Sequence, residues 1–230
     1  MLEKWTTALL LASSLLLVSP AQALKSGAVS VWLTTPNRSA LLTLQSQPLR
    51  FEKTEAVGLP VINVNARQKY QTMDGFGFAL TGGSAQLMMK MNAPQRSALL
   101  RELFGTGANS IGVSYLRVSI GSSDMNDHAF TYDDMPPGET DPDLKHFNLG
   151  PDETTVIPVL KEILAINPSI KILGSPWSAP AWMKTNDNLK GGSLKAQYYG
   201  TYARYLVKYL ERMKHEGIGI DAITPQNEPL

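Results

Sequence analysis

The sequence contains no cysteine among its 230 residues, which excludes disulfide bonds, thiolate metal sites and a cysteine nucleophile. It also lacks a charge excess, with 21 Lys and Arg against 20 Asp and Glu, and no basic run marks a nucleic-acid partner. No Gly-rich phosphate-binding motif opens a helix, and the three histidines have no ligand-like spacing. We therefore expect no cofactor and no metal, and a neutral ligand fits this charge balance better than a polyanion.

The first 23 residues have the layout of a secretory signal peptide. Lys4 gives a positive start, residues 8–18 form an apolar stretch, and Ala21 and Ala23 supply an A-x-A site that predicts cleavage after Ala23. The alternative is a membrane anchor, but the stretch is well short of the ~20 residues that a span requires. The sequence thus predicts a secreted or periplasmic protein without stable membrane insertion.

Residues 24–70 predict a small β layer that forms a side domain. Residues 29–34 alternate in hydrophobicity with period two, and residues 41–44 and 61–64 are shorter strand candidates. Turn signals containing proline and glycine separate these segments. No helical period is present in this region.

From residue 71 onward, strands and helices alternate, which predicts a parallel sheet with crossover helices. The predicted strands are residues 75–80, 115–120, 170–174 and 220–224. The predicted helices are residues 92–104, with Asn92 as its cap, 154–166 and 195–215. Residues 121–151 predict a long polar loop, whose acidic residues we interpret as solvated.

Large polar or aromatic residues stand at the carboxyl ends of these strands, as in the active sites of (β/α)₈ TIM barrels. We therefore predict an α/β fold in which residues 71–230 form the amino-terminal half of such a barrel. Only four of the eight βα units are visible. Because a natural domain rarely stops directly after a strand, we interpret the chain as a truncated barrel.

The sharpest local feature is the segment 224–229 (TPQNEP), in which Glu228 lies just past the fourth strand. Glycoside hydrolysis needs one carboxyl group as general acid and a second as nucleophile or base. The amide of Asn227 could hydrogen-bond a sugar 2-hydroxyl. A Glu at a strand end is nevertheless more often a solvated or salt-bridged surface group.

Four segments in order give this chain a resemblance to glycoside hydrolase family 30, which includes glucosylceramidases and microbial β-1,6-glucanases. They are residues 74–81 (DGFGFALT), 115–118 (YLRV), 175–185 (SPWSAPAWMKT) and 226–229 (QNEP). The resemblance implies a (β/α)₈ barrel with an attached β-sandwich and a retaining mechanism without metal. It implies that Glu228 is the acid/base and that Trp177 lines the pocket for the sugar ring. The nucleophile would be a second Glu on a later strand, which this sequence does not contain.

One position departs from the resemblance. Many relatives carry a sugar-binding Asp directly after the segment 74–81, where this chain has Gly82. The loss of a carboxylate removes charge-assisted hydrogen bonds to the sugar. Asp124, beyond the second strand, is our candidate substitute.

Several residues leave two interpretations open. Trp182 could stack on a sugar ring or pack in the core. Arg117 could orient the nucleophile or form a structural ion pair inside the barrel. The tyrosines at helical spacing between Tyr198 and Tyr209 are interpreted as core.

The resulting prediction is a secreted retaining β-glycosidase acting on a β-glucan or glucoside, β-1,6-glucan first and glucosylceramide second. We expect the 230-residue chain to be inactive alone, since it lacks the second carboxylate. The alternatives are a non-catalytic carbohydrate-binding protein and the inactive remnant of a broken gene. The sequence does not indicate the oligomeric state.

Overall fold

The computed structural model describes residues 27–51, 58 and 60–228. These residues form two compact units, one that ends at Lys69 and one that begins at Tyr70. The predicted signal peptide lies outside the described residues.

The first unit contains two short antiparallel pairs. Strand β1 (Ala28–Val29) pairs with β4 (Leu49–Arg50), and β2 (Trp32–Leu33) pairs with β3 (Thr43–Leu44). The predicted strand 29–34 is therefore divided, because its two ends pair with different partners. The predicted strand 61–64 is wrong: these residues pair with no other strand, and Ile62 and Val64 are both 88% exposed. A short apolar segment does not form a strand without a partner strand for its backbone hydrogen bonds.

The second unit is built on a four-stranded parallel sheet in the order β5-β6-β7-β8. Its strands are β5 (Gly77–Leu80), β6 (Tyr115–Ile120), β7 (Lys171–Pro176) and β8 (Ala222–Ile223). Tyr115 pairs with Lys171, and Leu173 pairs with Ala222, so the carboxyl ends of these strands lie at one edge of the sheet. All four predicted strands of this unit are confirmed, with β7 extended by two residues to Pro176.

Four helices connect and cover the strands: α1 (Gly82–Lys90), α2 (Ala93–Phe104), α3 (Val156–Ile166) and α4 (Tyr199–His215). Asn92 caps α2 as predicted, since its Oδ1 accepts a hydrogen bond from the backbone N–H of Gln95 at 2.9 Å. Helix α1 was not predicted. Two glycines at its start give a weak helical signal, but Thr81 caps it by accepting from the N–H of Ser84 at 3.2 Å.

The core of the second unit lies between the sheet and the helices, with an aromatic layer under the long loop that follows β6. Tyr132 from that loop stacks on Tyr209 of α4, with ring centroids 5.8 Å apart, and Tyr205 packs beside them. Tyr202, Tyr205 and Tyr209 are all buried, which confirms the predicted core role for these three, but the prediction is wrong for Tyr199, which is 60% exposed at the first position of α4. Within the described part of the chain, no helix has both the length and the hydropathy to cross a membrane.

Candidate active site

Polar side chains from neighbouring strands meet at the carboxyl edge of the sheet. The hydroxyls of Ser175, on β7, and Thr224, just after β8, lie 2.7 Å apart. The backbone N–H of Asn227 donates to the carbonyl of Pro176 at 2.8 Å, and that of Thr224 donates to the carbonyl of Gly174 at 3.0 Å. The segment after β8 is thus tied to the end of β7, which fixes the backbone next to Glu228.

Arg117 of β6 sets the orientation of the Asn227 side chain. Its Nη2 donates to Oδ1 of Asn227 at 2.6 Å and to the hydroxyl of Ser175 at 3.0 Å. Because a guanidinium has only donors, the atom of Asn227 that faces it must be the amide oxygen. The NH₂ group of Asn227 is therefore the part that remains available as a donor.

These contacts bear on the two interpretations of Arg117. No carboxylate lies within 4.0 Å of its guanidinium among the described residues, so the structural ion pair is absent there. A guanidinium carries five N–H donors, and the two contacts to Asn227 and Ser175 both involve Nη2. The other donors of this half-buried group can still bind a carboxylate.

Glu228 lies at the surface of a cavity of about 570 Å³ that opens beside this edge of the sheet. Its side chain is exposed, and no residue in the described part of the chain donates a hydrogen bond to it or forms an ion pair with it. Its backbone φ is +46°, a left-handed conformation that is costly for a residue with a side chain. Such strain is common where a fold directs a side chain into a functional site.

Trp177 lines the same cavity and is half-buried just after β7, and its role in a sugar pocket stays a prediction. The side-chain amide of Gln226 donates to the carbonyl of Trp177 at 2.7 Å, so the segment 225–228 also holds the backbone under this ring. An aromatic face beside a carboxylate provides a surface on which a sugar ring can stack.

Trp182 does not line this cavity. It is 6% exposed, its indole N–H donates to the carbonyl of Asp133 at 2.9 Å, and its ring packs edge-on against Tyr198 with centroids 4.9 Å apart. This environment fits the core-packing interpretation of Trp182, since a buried and fully bonded indole has no face left for a ligand.

Asp124 is exposed in the loop after β6 and is not among the residues that line the cavity. Its role as a sugar ligand therefore stays a prediction. At Gly82, a Cβ would lie 2.2 Å from Nδ2 of Asn126, in the same loop. The Asn126 side chain, whose Oδ1 accepts from the N–H of Ser123 at 2.9 Å, thus occupies the space that an Asp at position 82 would need.

The opposite wall of the cavity is the loop between Lys184 and Lys195, which we call the cavity loop. A bridge between Lys184 and Leu194 closes it, and Leu189, Lys190 and the glycines 191 and 192 line the cavity. Lys184 is buried, and its ammonium donates to the carbonyl of Leu189 at 2.8 Å and to the hydroxyl of Ser178 at 3.1 Å. Burial lowers the pKa of Lys184.

The acidic residues of the loop after β6 are not all solvated, contrary to the sequence interpretation. Asp133 is 1% exposed and Asp141 is 5% exposed, because the loop folds over the aromatic layer instead of projecting into water. Burial raises the pKa of Asp133 to about 6, and the nearby Asp141 adds to the rise. Burial also raises the pKa of Asp152 to about 7, although the Tyr132 hydroxyl donates to it at 2.6 Å. In the described residues, no three His, Asp or Glu side chains are placed to hold a metal ion.

Sequence reasoning identified Glu228, Asn227, Arg117 and Trp177, which the structure brings to one edge of the sheet. It did not identify Ser175, Gln226 or Lys184. All three lie inside the segments 175–185 and 226–229 that carry the resemblance. The burial of Lys184 could not be predicted from its position there, because it depends on how the cavity loop folds back.

Comparison with known proteins agrees with the fold of the second unit. The family model described as the glycosyl hydrolase family 30 TIM-barrel domain matches residues 73–230. An endo-1,6-β-D-glucanase of Neurospora crassa is 42% identical over 166 residues, which cover 70% of this chain and 34% of that protein. The lysosomal acid glucosylceramidase of Mus musculus is 34% identical over 176 residues, or 74% of this chain and 33% of that protein.

Solved structures give the same picture. An endo-β1,6-glucanase has a TM-score of 0.72 and 38% identity, and the match covers 90% of this chain and 44% of that one. SrfJ from Salmonella typhimurium has a TM-score of 0.73 and 28% identity, with 88% and 44% covered. The chain therefore spans about one third of the length of these curated relatives and under half of these solved structures.

Proposed function

We propose, from the premise that this chain belongs to glycosyl hydrolase family 30, that it supplies the acid/base half of a retaining β-glycosidase. The observation that carries the proposal is the arrangement at the carboxyl edge of the sheet. Arg117 binds the amide oxygen of Asn227, and the next residue, Glu228, lines the cavity together with Trp177.

In this proposal Glu228 protonates the glycosidic oxygen as the bond to the leaving group breaks. It then accepts a proton from the water that releases the sugar from the enzyme. The Asn227 amide supports this chemistry, because its free N–H bonds can donate to a sugar hydroxyl. Hydrogen bonds of this kind to the 2-hydroxyl strengthen in the transition state.

A retaining enzyme needs a second carboxylate about 5–5.5 Å from the first. Glu228 is the sole Asp or Glu among the described residues that line the cavity. We propose that the nucleophile is a Glu on a later strand that this sequence does not contain, and that the remaining donors of Arg117 orient it. On this basis the 230-residue chain alone is expected to be inactive.

The substrate we propose is a β-glucan with 1,6 linkages, with glucosylceramide as the second choice. The relatives named as endo-1,6-β-glucanases are 40–42% identical, against 34% for the murine glucosylceramidase. Export through a signal peptide cleaved after Ala23 belongs to the same proposal, since a glucan polymer is met outside the cell. Sequencing the amino terminus of the mature protein tests that part.

The decisive experiment is hydrolysis of β-1,6-glucan by the product of the complete gene, with Glu228→Gln as the variant. Loss of a general acid typically lowers the rate by about 10²–10⁴-fold. Wild-type turnover that survives the substitution would show that Glu228 is not the acid/base. Glycan binding without hydrolysis in either protein would favour the non-catalytic carbohydrate-binding alternative, and absence of both would favour an inactive remnant.

A further inference from the structure

Lys184 is buried, and a buried charged group is normally paired with an opposite charge. In the described part of the chain no carboxylate lies within 4.0 Å of its Nζ, and its acceptors are a carbonyl and a hydroxyl. A buried unpaired charge is costly, and an apolar side chain would fill the same volume at less cost. The ammonium is explained if the site requires a donor to both the Leu189 carbonyl and the Ser178 hydroxyl.

The two acceptors belong to different segments: Leu189 lines the cavity, and Ser178 lies between two residues that line it, Trp177 and Ala179. Ser178 follows Trp177 directly, and its own hydroxyl donates onward to the carbonyl of Ala179 at 2.8 Å. Leu189 lies in the cavity loop, next to Lys190. Lys184 therefore joins the loop to the segment that carries the aromatic ring.

The cavity loop has further internal bonds that hold one shape. Nδ2 of Asn186 donates to the carbonyl of Lys190 at 2.8 Å, and Nζ of Lys195 donates to Asp187 at 2.8 Å. Gly192 has a φ of +68°, and a Cβ there would lie 2.2 Å from Oδ1 of Asn186. The wall at this point is therefore bare backbone.

We infer that Lys184 is a positioning residue that holds the cavity loop as the wall for the leaving group, and that this leaving group is a sugar unit. The inference rests on the proposed function, because a leaving group must lie beside the acid that protonates it. The loop shares its cavity with Glu228. On the side that lines the cavity, Lys190, two glycines and Ser193 separate the two leucines of the loop. This mixed surface suits hydroxyl groups better than a continuous acyl chain.

The test uses the product of the complete gene with Glu228→Gln, which prevents turnover, and measures binding of three ligands by calorimetry. Lys184→Met keeps a long unbranched side chain and removes the donor. We expect gentiobiose, a β-1,6-linked glucose pair, to bind about tenfold more weakly, because the cavity loop loses the hydrogen bonds from Lys184 that hold it in place. Glucose and octyl β-glucoside should change by less than about twofold.

Two further variants keep the result interpretable. Lys161→Met removes a lysine that pairs with Glu216 at 2.7 Å outside the cavity, and it should change no affinity. Gly192→Ala disturbs the exposed wall directly and should weaken gentiobiose alone, even if Lys184→Met fails to fold.

The assignment would be overturned if the Lys184 and Gly192 variants weakened the binding of glucose and of gentiobiose equally, or if they changed the affinity for neither sugar. Weakening of octyl β-glucoside in place of gentiobiose would overturn the sugar leaving group. Continued hydrolysis of gentiobiose by the Glu228→Gln protein would count against the proposed function, whereas the affinity differences between the variants test Lys184. Failure here is therefore distinct from failure of the proposed function.

Discussion

Replacing Asp133 by Asn is expected to stabilise the second unit at pH 8 and to have little effect below pH 4. Asp133 is 1% exposed, and neither of its carboxylate oxygens has a hydrogen-bond partner among the described residues. Asp141 lies close enough to repel it, while His146 and Lys208 offset part of that repulsion. An ionised carboxylate in this place is therefore destabilising, and the neutral amide of Asn removes the charge.

The magnitude follows from the pKa of the carboxyl group. Burial raises the pKa of Asp133 from its ordinary value of 3.8 to about 6. This rise in pKa corresponds to a loss of ~3 kcal/mol in the free energy of unfolding at pH values where the group is ionised in both the folded and the unfolded state. Since the Asn amide also lacks partners, the expected gain at pH 8 is about 1–3 kcal/mol.

The sign follows from proton linkage. The folded state binds the Asp133 proton more tightly than the unfolded state, so stability is lost as pH rises from about 3.8 to about 6 and stays lost above that range. Asp152, with its pKa raised to about 7, acts in the same direction. The wild-type protein should therefore be more stable near pH 5 than near pH 8, and Asp133→Asn should remove part of this difference.

The assay is urea unfolding followed by far-ultraviolet circular dichroism, because the described helices all lie in the second unit. Curves at pH 4, 5, 6, 7 and 8 give the free energy of unfolding of each protein. Asp143→Asn is the matched control: this side chain is in the same loop, 72% exposed, and paired with Lys145 at 3.2 Å. An equal effect of both variants at every pH, or destabilisation by Asp133→Asn at pH 8, would refute the reasoning.

Three further outcomes are expected. Gly82→Ala should cost about 1–3 kcal/mol because its Cβ meets the Asn126 amide, and Asn126→Gly should recover part of the loss in a double-mutant cycle measured by urea unfolding. Asn92→Ala should cost about 1 kcal/mol in the same assay by removing the cap of α2; no loss would mean that the cap is not needed. Arg117→Met should lower kcat on β-1,6-glucan by about a hundredfold, since Asn227 loses its orientation; an unchanged kcat in a folded variant would contradict this.

The sequence predicted the parallel sheet well because each of its strands has a strong local signal. Residues 115–120 alternate and are buried alternately, and the helix at Val156–Ile166 shows one continuous apolar face. Helix α1 was missed because Gly82 and Gly83 are poor helix formers. These glycines are required by the loop after β6, which approaches so closely that a Cβ at Gly83 would lie 1.9 Å from the carbonyl of Met125.

The errors in the first unit and in the loop after β6 have a common cause. The apolar segment at residues 61–64 suggested a strand, but an apolar segment does not provide the partner strand that completes the ladder. In the same way, the acidic composition of residues 133–143 suggested solvation, whereas Tyr132 draws the loop onto the rings of α4. Both outcomes were decided by tertiary contacts that a local pattern does not contain.

The site was predictable to the extent that the strand ends determine it. Parallel strands place the residues after Ile120, Pro176 and Ile223 at one edge, so Trp177 and Glu228 had to approach each other once the sheet was known. The sequence predicted that the Asn227 amide contacts a sugar hydroxyl, but it could not say which end of the amide is available. The contact from Arg117 occupies the oxygen, so the NH₂ group is the end that can act as a donor. Arg117 lies two strands away from β8 in the sheet, and it thus determines which end of the Asn227 amide stays free as a donor next to Glu228 in the chain.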